Sequence, residues 1–273
     1  AMVMTEQTPD LDVGQYLNCA ALVSDRSSYT LALLELLDDP DADRQSVSEL
    51  ISADPVLVSK LLVLANSAWI GARAESTNVW DAIRVLGFTM VRNLAMANLV
   101  NLSASNPHLP RGYVDHAVAS AAGAAAVAER VGLKVRDAWS VALLHDLGVV
   151  LLSSAHGLEA VAGLATRSVA DEVAANGFDH AALGAAVLER MRLPRMVCEV
   201  IRDHVRPADS GGSALSMTVR AGIALAEAGG AAGCSAPLGS PQAFLRELDL
   251  EYEQTAIAAD IEAHAGRLTD LLG

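Results

Sequence analysis

Five histidine and aspartate side chains in the middle of the chain are of the types that bind transition metals. They are His116, the doublet His145-Asp146, His180 and His204. Imidazole nitrogens and carboxylate oxygens are ligands for manganese, iron, zinc and magnesium ions. A carboxylate can also bridge two ions and orient an attacking water molecule, which is the basis of two-metal phosphoester hydrolysis. These residues therefore indicate a metal centre, and phosphoester hydrolysis is the chemistry that such a centre would support.

A second interpretation of the same residues needs no metal. A buried aspartate beside a histidine often forms a structural hydrogen-bonded pair, because a buried charge is stable only when it is paired. The residues by themselves leave both interpretations open.

The segments that carry these side chains have the pattern of helices. Hydrophobic residues make up 52% of the chain, but aromatic residues make up only 4%. The hydrophobic fraction includes 50 alanines. Alanine has the highest helix propensity, and small side chains suit helices packed closely on helices. Leucine and valine recur at helical spacing, and no alternating run indicates a sheet. The sequence therefore predicts an all-α fold, a two-lobed helical bundle, with His116 in a helix over 113–131 and the His145-Asp146 doublet inside a helix over 138–154.

Polar residues and glycines predict where several of the other helices begin and end. Ser46, Asp54, Asp137 and Asp179 are expected as N-caps, and Gly87 is expected to end a helix. Further helices are predicted over 158–176, 179–191, 194–206 and 214–228, and a last pair of helices over 242–272.

Small residues also predict one close helix contact. Ser120, Gly123 and Ala124 lie on the same side of their helix as His116. This arrangement is typical of tight packing between two helices.

A polar stretch from Ser105 to Gly112, with two prolines and a glycine, is the best candidate for a boundary between two lobes. We expect a flexible N-terminus over 1–10, an N-terminal helical lobe over 11–108 and a second helical lobe over 109–230. Residues 231–273 are expected to form a linker and C-terminal helices, which either cover the second lobe or serve a partner.

The charge and the cysteines limit the partners and the compartment. The formal net charge of −14 repels phosphate backbones and anionic lipids, so we expect neither a nucleic acid nor a membrane as partner. The apolar run over 117–128 is shorter than the roughly 20 residues of a membrane span, and the chain has no secretory start. Cys19, Cys198 and Cys234 are widely spaced, which favours a reduced, cytoplasmic protein.

Four motifs, in order, resemble those of the HDOD family, the HD-related output domain. They are Asp54-Pro55 with the helix that ends in Ala65-Asn66-Ser67, the run Ala82-Ile83-Arg84-Val85-Leu86-Gly87, the segment Leu143-Leu144-His145-Asp146-Leu147-Gly148, and the set His180, Gly184, Leu193-Pro194 and His204. The resemblance covers residues 15–228. It implies a bacterial signalling module in which an N-terminal helical lobe packs on an HD-like lobe, generally regarded as regulatory.

The relationship of this family to HD phosphohydrolases implies metal-ligand roles for the five side chains. His116, His145 and Asp146 match the first three ligands of the HD metal. His180 and His204 match ligands of the second metal in HD-GYP phosphodiesterases.

Two ligands of those enzymes are absent from this sequence. Gly222 stands where the late aspartate of the HD site falls, and Val205 replaces the second histidine of a His-His pair. The Gly-Tyr-Pro segment that follows the pair is also missing. These departures imply at most a weakly or substoichiometrically bound divalent transition metal, such as iron, manganese or zinc.

Two functions of different classes follow from this pattern. The first is a cytoplasmic regulatory module without catalysis, which acts through contacts with other signalling proteins. The alternative is a metal-dependent phosphohydrolase or phosphodiesterase that acts on a nucleotide or a cyclic dinucleotide, motivated by the retained His116, His145 and Asp146.

Overall fold

The computed structural model describes residues 13–16, 27–37, 39, 43–66, 70, 75–99, 107–191 and 193–272. The described residues form helices joined by turns and loops, with no strand among them. The predicted all-α fold is therefore confirmed. The predicted flexible N-terminus, Cys19 and Ser67 lie outside the described residues.

The first group of helices packs around one long helix. The group consists of α1 (Ser27–Leu37), α2 (Arg44–Ser52), α3 (Pro55–Ala65) and α4 (Val79–Leu99). The other three helices all contact α4, and their inner side chains Leu33, Ile51, Leu57, Leu61 and Leu64 are fully buried. As predicted, Gly87 interrupts α4, because its φ of 76° lies in the left-handed region that favours glycine.

The second group of helices surrounds α5, whose inner residues are buried almost throughout. The group consists of α5 (Tyr113–Arg130), α6 (Val135–Leu143), α7 (Leu147–His156), α8 (Val169–Asn176), α9 (His180–Arg190), α10 (Arg195–Asp203) and α11 (Ala214–Ala228). Helix α6 also packs against α4, so that one apolar core is continuous between the two groups. The exact boundary between the two lobes stays a prediction.

Helices α5 and α11 cross at two glycines. A Cβ atom at Gly123 would lie 2.6 Å from the carbonyl oxygen of Gly222, and one at Gly222 would overlap the backbone of Ala124. The close contact predicted at Gly123 and Ala124 is therefore present. A side chain at position 222 would point into the backbone of α5, so this position has no room for a carboxylate.

The C-terminal helices lie over the second group. They are α12 (Pro241–Glu247) and α13 (Gln254–Leu272). Phe244, Leu245 and Ile257 are buried together with Val127 of α5. The described part of this region therefore covers the second lobe, which is one of the two placements that the sequence left open.

Two of the predicted helices are wrong because the chain turns inside them. The predicted helix over 138–154 is two helices, and the His145-Asp146 doublet lies in the turn between α6 and α7. The predicted helix over 158–176 begins only at Val169, because the left-handed Gly163, with a φ of 83°, separates two short 3₁₀ turns before it.

Two of the four predicted N-caps are confirmed. Asp54 accepts a hydrogen bond from the Leu57 amide, and Asp179 accepts one from the Ala182 amide. The Ser46 and Asp137 predictions are wrong, because α2 and α6 begin earlier, after Asp43 and Lys134.

One helical stretch among the described residues, 135–156, is long and apolar enough to cross a membrane by length and composition. Its apolar window is 89% buried within the protein, which is typical of a core helix.

Candidate metal centre

The five predicted side chains meet at one buried point. His116 projects from α5, and the His145-Asp146 doublet comes from the turn between α6 and α7. His180 is the first residue of α9, and His204 directly follows α10. Each of these five residues is at most 2% exposed. Residues from four separate parts of the chain thus converge. Their spacing in the sequence alone could not show this convergence.

The Asp146 carboxylate lies between two pairs of histidines. Its Oδ1 atom is 3.4 Å from Nε2 of His180 and 3.3 Å from Nε2 of His204. Its Oδ2 atom is 3.5 Å from Nε2 of His145 and 3.9 Å from Nε2 of His116. Each pair, together with Asp146, forms a three-residue set with ligand atoms close enough to share a metal ion.

His145 and His204 are oriented in the same way at the ends of helices. Each Nδ1 atom lies 2.6 Å from the carbonyl oxygen three residues earlier, that of Ala142 or Ile201. In a continuous helix, the Ala142 carbonyl would accept from the amide of Asp146. At the doublet, the Ala142 carbonyl instead faces Nδ1 of the His145 ring and accepts from the His145 amide at 3.4 Å, and the chain turns there.

The other two histidines are oriented by more distant groups. Nδ1 of His116 lies 2.8 Å from the carbonyl oxygen of Ala231. Nδ1 of His180 lies 2.8 Å from Oε2 of Glu172, which also accepts from the His180 amide at 3.0 Å. Carbonyl and carboxylate oxygens only accept, so the Nδ1 atom of every ring carries the proton. All four Nε2 atoms therefore face Asp146, and each offers a lone pair to a metal ion when its ring carries a single proton.

Burial and charge shift the ionisation of the centre in opposite directions. Burial lowers the pKa of His145 to about 3. Burial alone would also lower the pKa of His180, but its contacts with Asp146 and Glu172 outweigh burial and raise the pKa to about 10. Burial would raise the pKa of Asp146, yet the surrounding histidines hold it well below the usual value. The Asp146 carboxylate is therefore ionised, and the protonated His180 ring beside it compensates for its charge.

The unsatisfied atoms of the cluster fit a metal ion. Both Asp146 oxygens and the Nε2 atoms of His180 and His204 are buried, and none of them forms a well-oriented hydrogen bond among the described residues, although the oxygen and nitrogen atoms lie 3.3 to 3.4 Å apart. Nε2 of His116 lies only 3.1 Å from Nε2 of His145. Two nitrogens bound about 2.1 Å from one ion are separated by about 3.0 Å at a right angle and about 3.4 Å in a tetrahedron. The observed separation lies between these values.

Two glycines allow the helices to bring His180 next to Asp146. A Cβ atom at Gly148, at the start of α7, would overlap the carbonyl oxygen of His180, and one at Gly184 would lie 3.1 Å from the Gly148 amide nitrogen. These glycines belong to the two motifs quoted above, and their contact explains why each follows a ligand residue.

Glu172 and Ala231 support the centre but were not predicted from the sequence. Glu172 is 1% exposed, although it lies beside Asp171 in a short polar helix that looks like a surface helix. Ala231 acts through its backbone carbonyl, so the type of its side chain gives no signal in the sequence. Both become visible only when the fold is known.

We expect Glu172→Gln to weaken metal binding without unfolding the protein. Glutamine keeps the size of the side chain but removes the charge that the His180 ring faces. Loss of such an outer partner typically lowers metal affinity by about 10- to 100-fold. Titration with Mn²⁺ or Zn²⁺ would measure the change, with the exposed Glu159→Gln as the matched control. Equal affinity of the two variants would contradict this role.

The comparison with protein families identifies the group to which this arrangement belongs. The sequence profile of the HDOD domain matches residues 26–207. The chain belongs to the HDOD family. This confirms the resemblance that the motifs indicated, and the match spans all five side chains of the cluster.

Relatives of this HDOD protein include one curated sequence and several solved structures. An uncharacterized protein from Treponema pallidum is 28% identical over 208 residues, which are 68% of this chain and 39% of that protein. The chain therefore spans about two fifths of the length of this relative.

The solved structures establish the helical fold. A candidate phosphohydrolase from Shewanella amazonensis is 22% identical with a TM-score of 0.66, covering 96% of this chain and 98% of that one. An HDOD domain protein of unknown function from Geobacter sulfurreducens is also 22% identical, with a TM-score of 0.61 and the same coverage. A candidate signal transduction protein from Marinobacter aquaeolei is 22% identical with a TM-score of 0.60, covering 90% of this chain and 59% of that one.

Proposed function

We propose that this HDOD protein is a non-catalytic regulatory module that holds a divalent transition metal ion in a closed centre and acts through contacts with other signalling proteins. The family membership and the candidate signal transduction protein among the structural neighbours support this role. We further propose a cytoplasmic location, since both described cysteines are free thiols. The net charge of −14 favours protein partners over nucleic acids.

The observation that carries this proposal is the enclosure of the cluster. All five side chains are almost completely buried. The segment 229–240 lies against His116, so that a Cβ atom at Gly233 would be 3.2 Å from two atoms of the ring. The cleft beside His180 has a volume of about 120 Å³, whereas pockets for small molecules typically measure about 300–1,000 Å³. Within the part of the chain that the structure describes, this cleft is therefore too small for a nucleotide.

The metal ion in this proposal is iron, manganese or zinc. His116, His145 and Asp146 would hold one ion, and His180 and His204 form a second set with the same carboxylate. A bound ion supplies positive charge to the buried carboxylate. The protein's own contribution is to fix the four Nε2 atoms through their Nδ1 hydrogen bonds, which sets the geometry before the ion arrives.

A second candidate function, a metal-dependent phosphohydrolase or phosphodiesterase, is favoured by the position of Asp146. A carboxylate that lies between two pairs of histidines can bridge two metal ions, and two-metal hydrolysis uses such an arrangement. A nucleotide or a cyclic dinucleotide would be the substrate in this case. The candidate phosphohydrolase from Shewanella amazonensis agrees with this alternative.

An activity assay distinguishes the two functions. The protein is loaded with Mn²⁺ or Fe²⁺ and incubated with bis(p-nitrophenyl) phosphate and with a cyclic dinucleotide, in parallel with the Asp146→Asn variant. We expect the wild-type protein to release no more product than the variant, although it binds the metal. Product release that requires both the metal and Asp146 would overturn the regulatory proposal in favour of hydrolysis.

A further inference from the structure

The segment between α11 and α12, residues 229–240, forms a strap across the metal centre. It leaves α11 at Gly229 and reaches α12 at Pro241. It contains neither helix nor strand, and its Ala231, Cys234 and Leu238 side chains pack against the apolar core. Pro237, Gly239 and Ser240 are exposed, so the strap connects the buried centre with the protein surface.

Two hydrogen bonds to side chains fasten the strap, one near each end, and the Ala231 amide also donates to the Ala226 carbonyl of α11 at 3.0 Å. The Ala231 carbonyl accepts from Nδ1 of His116 at 2.8 Å. The Leu238 amide donates to Oε2 of Glu227 at 3.0 Å. The first bond orients a metal ligand directly. The second bond holds the far end of the strap to α11, and Glu227 thereby supports the position of the whole segment.

The strap also contacts both halves of the centre. At Gly233, a Cβ atom would lie 3.2 Å from Cε1 and Nε2 of His116 and 3.6 Å from Oε1 of Glu227. Further along, Ser235 to Leu238 form one wall of the cleft whose other walls include Glu172 and His180. A movement of the strap would therefore change the surroundings of His116 and of His180 together.

We propose that the strap is a regulatory element that couples occupancy of the metal centre to the protein surface, with Glu227 as its positioning residue. This inference rests on the proposed function, because it requires that the centre binds metal. A bound ion fixes the His116 ring, and the fixed ring holds the strap down through Ala231. Conversely, a displaced strap leaves the buried Nδ1–H of His116 without its acceptor and weakens the metal site. The two effects are equal in free energy by linkage.

A pair of glycine variants tests the coupling from the side of the strap. Gly233→Ala places a methyl group against the His116 ring, whereas the nearest atoms to a methyl group at Gly229 are 3.4 Å away. Gly229 has a φ of −78°, which alanine adopts readily, so Gly229→Ala is the matched control. We expect Gly233→Ala to raise the Kd for Mn²⁺ or Zn²⁺ by about 10- to 100-fold, the range for loss of an outer partner. Gly229→Ala should bind like the wild type.

Variants of Glu227 separate its hydrogen bond from its charge. Glutamine retains an acceptor for the Leu238 amide, whereas leucine removes it at similar size. We expect Glu227→Leu to lose metal affinity by about tenfold and Glu227→Gln to retain most of it. An equal loss of metal affinity in both variants would show that Glu227 acts through its charge. This result would overturn the role of Glu227 as the residue that positions the strap.

Hydrogen exchange tests the coupling from the side of the metal. We expect saturating Mn²⁺ or Zn²⁺ to slow exchange of the Leu238 amide in the wild-type protein, and to slow it much less in Gly233→Ala. Metal binding without any change in exchange over 231–238, or equal Kd values for the two glycine variants, would overturn the coupling alone. If neither the wild-type protein nor any of the variants binds metal, the proposed metal centre is wrong as well. Hydrolytic turnover with intact coupling would refute only the non-catalytic function.

Discussion

Replacement of Asp146 by asparagine is expected to abolish metal binding and to lower the stability of the metal-free protein. The carboxylate is shared by both three-residue sets, so its loss removes a ligand from each of them. In the metal-free protein it is the anion that His180 and His204 face. Leaving buried partners unpaired costs about 1–3 kcal/mol, and we expect a decrease in the free energy of unfolding of this size.

The sign of this effect depends on pH. The surrounding histidines hold the pKa of Asp146 well below its ordinary value of 3.8, so the ionised carboxylate stabilises the folded state. This contribution is fully present above pH 3.8 and disappears as the pH falls through the folded-state pKa. The difference in stability between the wild-type protein and Asp146→Asn should therefore shrink in acid. It should also shrink as the pH rises from 6.5 towards 10, because Asp146 helps to raise the pKa of His180 from 6.5 to about 10.

Chemical unfolding in the presence of a chelator, followed by metal titration, measures both effects. Asp115→Asn is a suitable control, because Asp115 is exposed and adjacent to His116 on α5. If Asp146→Asn were at least as stable as the wild type without metal, the carboxylate would be a strained group that only a metal ion relieves. The enzymatic alternative would then gain support.

Gly148→Ala is expected to be the most destabilising small substitution in the second lobe. Its methyl group would overlap the carbonyl oxygen of His180, and this atom belongs to the backbone of α9. Overpacking of a core typically costs about 1–3 kcal/mol and occasionally more. Because a helix backbone cannot move aside as a side chain can, we expect a loss at or above the upper end of that range.

A graded series of alanine variants makes this prediction specific. A Cβ atom at Gly184 would lie 3.1 Å from the Gly148 amide nitrogen, and the nearest atoms at Gly229 are 3.4 Å away. Urea unfolding should therefore rank the loss of stability as Gly148→Ala, then Gly184→Ala, with Gly229→Ala close to the wild type. A stable, metal-binding Gly148→Ala protein would show that α7 and α9 are not held together by this contact.

The positions of the five candidate ligands could be identified because motifs carry them, and their role as metal ligands stays a prediction. His145-Asp146 with Gly148, and His180 with Gly184, each combine a ligand with the glycine that lets two helices approach. Once the motifs are recognised, the ligand set follows, even though the residues lie far apart in the sequence.

The local geometry around the doublet could not be predicted from the pattern of apolar residues. Leucine and valine continue at helical spacing through residues 138–154, and this pattern predicts one helix. The chain turns at the doublet, where the Ala142 carbonyl accepts from both the ring and the amide of His145, and the spacing of apolar residues does not reveal this local pattern. The turn is also what presents Asp146 to both pairs of histidines.

The absent ligands have different consequences in the structure. Gly222 belongs to the crossing of α5 and α11, so the loss of an aspartate there accompanies a close helix contact. Val205 lines the cleft beside His180, where it contributes an apolar wall. The four histidines still surround Asp146 and form two overlapping sets with it, which the number of missing ligands did not indicate.

Metal content tests the central claim, that the buried cluster is a metal centre, most directly. The protein is purified without chelator, and its iron, manganese and zinc are measured by elemental mass spectrometry before and after dialysis against a chelator and reloading. We predict that one of these metals is present after purification, in substoichiometric amount, that the chelator removes it with a fall in Tm, and that reloading restores both. A protein that contains none of them, takes none up and keeps the same Tm throughout would contradict the account.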